Sequence, residues 1–225
     1  MEIIVLTGAG VSAESGIPTF RGNNGLWENH RIEDVASPEG WERNPQLVLQ
    51  FYNERRKKIA EAQPNAAHYA LAELEKKHTV KIITQNIDDL HERAGSKNVM
   101  HLHGEIFKSR SIKNETVNYD CPGDINIGDI APDGFQLRPH IVWFGEMVPM
   151  METATHMMHT AEIVLVIGTS MVVYPAASLL YFATPFSTKY IINPEIPEMQ
   201  KTKNLIFIQK NAGEGVKEIV ERLME

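Results

Sequence analysis

The sequence predicts an α/β fold organised as an open, doubly wound parallel sheet, and three observations carry that prediction. Short apolar runs recur along the chain: Ile3-Ile4-Val5-Leu6, Val80-Lys81-Ile82-Ile83, Ile163-Val164-Leu165-Val166-Ile167, Tyr190-Ile191-Ile192 and Leu205-Ile206-Phe207-Ile208. They are near-continuous rather than alternating, as in strands covered on both faces. Helix-period segments separate several of them. The first run leads straight into Gly8-Ala9-Gly10-Val11-Ser12-Ala13, a G-x-G-x-x-A turn of Rossmann-like type. There Gly8 permits a tight turn, Gly10 lets the main chain approach a pyrophosphate, and Ala13 keeps a following helix close to the sheet, with phosphates on that helix's N-terminal amides.

A hydride-transferring dinucleotide enzyme would place a second strand ending in Asp or Glu about 20 residues past the first glycine. Residues 23–30, Asn-Asn-Gly-Leu-Trp-Glu-Asn-His, hold no apolar strand before their acid, which weakens a dehydrogenase reading. Arg21, a phosphate-binding residue type, stays close to the glycine turn.

At 225 residues and 43% hydrophobic content the chain can bury a full core. Its net charge of −7, from 22 basic and 29 acidic residues, argues against nucleic acid as a partner. The strongest apolar run, Ile163 to Ile167, is too short to span a bilayer, and no basic and apolar leader precedes the first strand. The expected location is cytoplasmic, with no membrane partner. The single cysteine, Cys121, excludes an internal disulfide and suits a reducing compartment.

Past the glycine turn, residues 23–64 read as a helical cap inserted into the sheet. Asn44-Pro45 is a cap followed by an N1 proline, opening a helix to about Ala62 with Leu47, Phe51 and Arg55 on one face. Tyr52 and Arg55, three apart, can face one pocket with a phenol and a guanidinium, a pairing suited to a carboxylate. The competing reading packs Tyr52 and solvates Arg55. A helix from Asn65 to Lys77 returns the chain to the sheet.

The strand Val80–Thr84 delivers Gln85-Asn86-Ile87-Asp88-Asp89 to the crevice at its C-terminal end. Those side chains suit ribose hydroxyls and a carboxamide, or simply cap the next helix. His101 and His103 alternate in an extended segment and face the same side. Residues 105–138 hold one cysteine and a scatter of Pro and Gly, and read as a turn-rich loop. Leu137-Arg138-Pro139-His140-Ile141-Val142-Trp143-Phe144-Gly145-Glu146 is strand-like. Met151–Thr160 reads as a helix with Glu152, His156 and His159 on one face, taken as a solvated stripe rather than a metal site. Ile163–Ile167 ends in Gly168-Thr169-Ser170, and Tyr174-Pro175 restarts a helix. Lys189–Ile192 ends in Asn193, whose amide can serve a ribose hydroxyl. Leu205–Ile208 and a helix from Gly215 to Met224 close the chain.

Gly8-Ala-Gly-x-Ser-x-x-Ser-Gly-Ile-Pro-x-Phe-Arg21 resembles the first motif of the sirtuins, NAD-consuming protein-lysine deacylases. Further segments resemble sirtuin motifs: Thr84-Gln-Asn-Ile-Asp-x-Leu-His-x-x-Ala-Gly95, His103-Gly104, Arg138-Pro to Gly145-Glu146, and Gly168-Thr-Ser-x-x-Val-x-Pro175. The resemblance runs from Gly8 to about Ala212. It implies a single catalytic domain over 1–225, with a Rossmann-like core of 1–22, 65–104 and 138–225, a cap of 23–64, and a degenerate zinc-module loop of 105–137. It implies NAD as co-substrate, held by Gly8, Ala9, Gly10, Ser12, Ala13, Ser15, Thr19, Phe20, Arg21, Trp27, Gln85, Asn86, Ile87, Asp88, Gly168, Thr169, Ser170, Asn193, Pro194, Glu195 and Ala212. His103 would be the general base, with Asn86 and Asp88 orienting the nicotinamide ribose and His101 structural.

An extended acyl-lysine peptide would add along Val142, Trp143, Phe144, Gly145 and Glu146. The Tyr52-x-x-Arg55 pair, with Ala36 widening the pocket, resembles class III sirtuins, which remove succinyl and malonyl groups. The departure lies in 105–138, where most sirtuins hold zinc with two Cys-x-x-Cys pairs; Ser111 stands where the first cysteine is expected, so no zinc is expected. The products implied are nicotinamide and 2′-O-acyl-ADP-ribose. The partners implied are acylated-lysine proteins, with a monomer favoured. A mono-ADP-ribosyltransferase, a deacetylase without succinyl preference, a reductase and a non-catalytic NAD or ADP-ribose sensor stand as alternatives.

Overall fold

The structure, a computed structural model, describes residues 1–19, 26–197 and 203–225. Its centre is a six-stranded sheet in which β1 (Glu2–Thr7) lies between β4 (Thr79–Thr84) and β9 (Ile163–Ile167). β5 (Val99–His101) continues beyond β4, and β10 (Thr188–Ile192) and β11 (Leu205–Ile208) continue beyond β9, giving the order β11-β10-β9-β1-β4-β5 with every pairing parallel.

Burial on both faces explains the near-continuous apolar runs. Ile3 and Val5 of β1 pack under α4 (Ala66–Leu74) and α7 (Ala212–Met224). Ile4 and Leu6 face the other way, towards α6 (Met151–Thr160) and a 3-10 helix at Ala176–Phe182. All four side chains are fully buried, each worth roughly 1.5–3 kcal/mol.

The segment after the glycine turn departs from the sequence expectation. Directly after β1 the described residues hold no α-helix; two 3-10 turns, Ala9–Val11 and Ala13–Ser15, end at Gly16 with φ 83°, and α4 is the helix that leads back into β4. Ala13 is exposed rather than holding a helix against the sheet. The helix restarting near Pro175 is likewise of 3-10 type.

Between them lies a hairpin, β2 (Leu26–Trp27) and β3 (His30–Arg31), then α1 (Ile32–Val35), α2 (Pro38–Arg43) and α3 (Pro45–Glu61). Both longer helices open on a side-chain cap and an N1 proline: Ser37 Oγ accepts from the Gly40 N–H at 2.9 Å, and Asn44 Oδ1 from the Leu47 N–H at 3.0 Å. Val48, Phe51, Tyr52 and Ile59 of α3 form a second core with Trp27, Val35, Ile106, Ile141 and Trp143.

Residues 105–138 also differ from the expected turn-rich loop. β6 (Gly104–Ser111) pairs antiparallel with β7 (Asn118–Asp120) and β8 (Leu137–Ile141). Polar side chains tie this sheet and its loop down. Asn53 Nδ2 donates to the Ile125 carbonyl at 2.8 Å and its Oδ1 accepts from the Ile125 N–H at 3.0 Å. Arg56, only 2% exposed, donates to the Ile106 carbonyl at 2.9 Å and to Asn53 Oδ1 at 2.8 Å. Gln136 accepts from the Gly128 N–H at 2.7 Å and donates to the Asn126 and Leu137 carbonyls, both at 2.9 Å. Residues 121–136 are the turns and loop expected; the flanking strands were not read because their pairings are long-range and leave little periodic trace.

Candidate active site

A cleft of about 750 Å³ runs across the C-terminal ends of the sheet, where the strand order reverses at β1 and β9. In doubly wound sheets that crevice is where ligands bind. At its floor the Gly8 N–H donates to the Ile167 carbonyl at 3.0 Å and the Gly10 N–H to the Gly168 carbonyl at 2.8 Å. A Cβ on Gly10 would lie 2.7 Å from Gly168 Cα, and one on Gly168, whose φ is +60°, would lie 2.4 Å from Val11 N. The two glycine loops interlock, so the missing Cβ of Gly10 makes room for the Gly168 backbone.

Beside this floor a chain of polar side chains runs through Ser12. Asn86 Nδ2 donates to Ser12 Oγ at 3.0 Å, Ser12 Oγ donates to Asp88 Oδ2 at 3.0 Å, and Asp88 Oδ1 accepts from the Leu90 N–H at 3.2 Å. Burial pushes the Asp88 carboxyl up, opposed by the Leu90 amide, the Ser12 hydroxyl and the charges of His101 and Arg55. Gln85, from the same loop, donates to Thr169 Oγ1 at 3.3 Å.

The two alternating histidines both face this loop but differ chemically. His103 Nδ1 lies 3.0 Å from the Gln85 carbonyl. A carbonyl only accepts, so Nδ1 carries the proton and Nε2 is left with its lone pair. Burial pushes the His103 pKa down, with the Gln85 carbonyl opposing, so the ring is neutral near pH 7. His101 has two acceptors, the Asn86 carbonyl at 2.9 Å on Nδ1 and Glu92 Oε1 at 2.8 Å on Nε2. Burial lowers its pKa, but Glu92 outweighs that and the net shift is upward. His101 is thus a charged tether for the 85–88 loop. Gly104 follows His103 at φ +82°, and a Cβ there would lie 2.0 Å from the His140 carbonyl oxygen.

One wall is residues 142–146, irregular because β8 ends at Ile141. Its Val142 N–H donates to the His103 carbonyl at 2.9 Å and its Phe144 N–H to the Ala36 carbonyl at 3.0 Å. Glu146 Oε2 accepts from the Trp143 N–H at 2.8 Å while Oε1 pairs with Arg138 at 2.7 Å, and the Arg138 guanidinium stacks 3.2 Å over the Trp143 ring. Glu146 therefore clamps this wall as well as lining the cleft.

At the inner end stand Ala36, Tyr52 and Arg55. Tyr52 is fully buried and Arg55 is 5% exposed. The Arg55 Nε and Nη1 groups form no hydrogen bond, although the Arg55 guanidinium stacks 4.5 Å over Trp27 and Nη1 lies 3.4 Å from Glu28 Oε1; the Tyr52 hydroxyl has the Trp143 side chain beside it, a donor only, so its own O–H is unused. Burial raises the Tyr52 pKa out of the physiological range.

Most residues expected at the site line this cleft: Ala9, Ala13, Thr19, Trp27, Ile87, Ser170, Gly145, Asn193, Pro194, Glu195 and Ala212 join those above. Ser15 does not; its Oγ accepts from Asn65 Nδ2 at 2.9 Å. Phe20 and Arg21 lie outside the described residues. Sequence reasoning missed Glu14, Ile17, Ile32, Val148 and Val173, which also line it, while Asn211, expected beside the adenine with Ala212, lines it too. Glu14 Oε2 accepts from the Gly213 N–H at 2.6 Å at the start of α7, a contact across nearly the whole chain that no local pattern announces. Glu152, His156 and His159 are on one exposed helix, and among the described residues no group of three or more His, Cys, Asp or Glu is placed to hold a metal. None of the described helices is long and apolar enough to cross a membrane.

Comparison with known proteins gives a consistent result. The Sir2 family profile matches residues 8–175. The chain is 50% identical over 224 residues to an NAD-dependent protein deacylase of Helicobacter pylori strain J99, covering 100% of this chain and 96% of the relative. It is 56% identical over 191 residues to one from Aggregatibacter actinomycetemcomitans, covering 85% and 92%. Among solved structures, a Sir2 homologue in complex with NAD superposes with a TM-score of 0.89 at 40% identity, covering 99% of this chain and 89% of that one. A Sir2 variant with a deacetylated p53 peptide and 3′-O-acetyl-ADP-ribose superposes with a TM-score of 0.82 at 31% identity, covering 98% and 92%.

Proposed function

The chain belongs to the Sir2 family and is an NAD-dependent protein deacylase; from that premise we propose which residues do the chemistry and which acyl groups the cleft prefers. The donor set fits the dinucleotide: amides and hydroxyls of Gln85, Asn86, Ser12 and Asn193 face the cleft, and the α7 N-terminus opens beside Asn211 and Ala212. When bound, NAD supplies an electrophilic ribose carbon with nicotinamide as its leaving group, and the ADP-ribose that accepts the acyl group. Ser12, Asn86 and Asp88 fix the polar end of the cleft. The 142–146 wall carries the peptide, and Trp143 with Phe144 excludes water from the acyl-lysine.

His103 is the general base. Its Nδ1–H is held by the Gln85 carbonyl, so the free Nε2 takes a proton from a ribose hydroxyl. The single observation supporting this role is that bare Nε2 on a neutral ring lining the cleft.

The acyl group favoured is acidic, succinyl or malonyl. Tyr52 and Arg55 leave buried donors unused at the inner end, where a carboxylate would satisfy both. Initial rates on matched succinyl- and acetyl-lysine peptides test this: the succinyl peptide is the better substrate, and Arg55→Met removes that advantage. An unchanged ratio in Arg55→Met would give Arg55 a packing role only.

A further inference from the structure

Arg55 is not alone at the inner end of the cleft. Glu28 occupies the β2–β3 turn with φ 48°, a left-handed conformation that residues other than glycine adopt reluctantly. That backbone directs a carboxylate, its side chain 11% exposed, between two cations. Glu28 Oε1 lies 3.4 Å from Arg55 Nη1 and 3.4 Å from Lys58 Nζ. Arg55 is almost entirely buried, whereas the Lys58 side chain is 58% exposed. Nη1 makes no hydrogen bond to Glu28 despite the proximity, so this carboxylate neutralises the guanidinium without saturating its donors.

Charge balance gives the arrangement a consequence. With a neutral acyl group in the pocket, Arg55 would be an unpaired buried cation unless Glu28 stayed beside it, and an isolated buried charge is strongly unfavourable. With an acidic acyl group, two carboxylates would crowd one guanidinium, and like charges at that range repel. Lys58 Nζ already donates to the same Glu28 Oε1 at 3.4 Å, so Glu28 keeps a partner on the solvent side when it leaves Arg55. We propose that Glu28 is an exchangeable counter-ion: it neutralises Arg55 when the acyl group is neutral and turns to Lys58 when a substrate carboxylate takes the Arg55 N–H donors. Glu28 is then a positioning residue that lets one pocket accept both acetyl and acidic acyl groups. This inference rests on the acidic-acyl reading of Tyr52 and Arg55.

The test measures kcat/KM at saturating NAD on matched succinyl- and acetyl-lysine peptides, for the wild-type protein, Glu28→Gln and Lys58→Met, each checked for folding by its melting midpoint. Glu28→Gln removes the internal counter-charge, so the succinyl-to-acetyl ratio rises roughly tenfold or more. Lys58→Met removes the alternative partner, and the ratio falls severalfold. Lys58→Met lies on an exposed face and keeps the test open should Glu28→Gln fold poorly. A ratio that stays within twofold in Lys58→Met, or that falls in Glu28→Gln, overturns the counter-ion role while leaving the acidic-acyl reading intact. A wild-type enzyme with no succinyl activity, and an acetyl rate indifferent to Arg55→Met, overturns that reading and this inference with it.

Discussion

His103 donates its Nδ1 proton to the Gln85 main-chain carbonyl at 3.0 Å, which binds the reactive ring to the loop that also carries Asn86 and Asp88. One hydrogen bond sets the tautomer, leaves the Nε2 lone pair for the proposed base role, and couples the ring's orientation to the strand end. Replacing His103 with Ala should reduce turnover by roughly 10²–10⁴-fold while NAD binding, followed by calorimetry, persists. Turnover near the wild-type rate would remove His103 from the base role.

The pH profile follows from the same residue. Burial pushes the His103 pKa below the ordinary histidine value, and the base acts when neutral. The acidic limb of kcat/KM is therefore expected below about pH 6.5, with a plateau above it. An acidic limb centred well above neutrality would contradict that environment.

On the proposed reading Arg55 carries the acyl selectivity. A charge-assisted hydrogen bond is worth about 1.5–3 kcal/mol, so Arg55→Met should depress succinyl removal roughly ten- to hundredfold and acetyl removal far less. Steady-state kinetics on both peptides gives the comparison, and equal losses would contradict it.

Asn53 and Arg56 hold the β6–β8 module, at the position where the sirtuin resemblance led to the expectation of a zinc module without its zinc. Asn53→Ala strands the Ile125 amide and carbonyl and one Arg56 donor, a loss of roughly 2–3 kcal/mol. At about 2–4 °C per kcal/mol for a chain of this size, the melting midpoint should fall roughly 5–10 °C. EDTA should leave that midpoint unchanged. Insensitivity to Asn53→Ala, or a shift with chelator, would assign the module another support.

Two buried histidines make folding sensitive to mild acid. Burial pushes the His68 pKa down to about 4, and His91, whose ring lies 4.8 Å away, is lowered too. The unfolded chain binds protons near pH 6.5 and the folded one does not. The stability from neutral His68 is thus present above pH 6.5 and lost as pH falls towards about 4, by roughly 3 kcal/mol. His68→Gln keeps an acceptor for the Asn65 N–H that His68 now caps at 3.2 Å, and should flatten melting midpoint against pH. An equally steep variant would place the acid sensitivity elsewhere.

Much of this was legible in sequence because its signals are local. The strands at 2–7, 79–84 and 163–167 announce themselves as apolar runs, and Tyr52 and Arg55 share a face by helical spacing alone. What escaped was long-range. The Gly10–Gly168 interlock, the Glu14 contact with Gly213 and the pairing of β6 with β8 join residues far apart in the chain. The missing helix after Gly10 belongs with them, since the backbone there is packed against Gly168, far off in the chain.

The most direct test of the central claim is a mass-spectrometric time course of the purified protein with NAD and matched acetyl- and succinyl-lysine peptides. Nicotinamide should appear in step with acyl-ADP-ribose, the succinyl product forming faster. ADP-ribose attached to protein, or no nicotinamide from either peptide, would contradict the deacylase account.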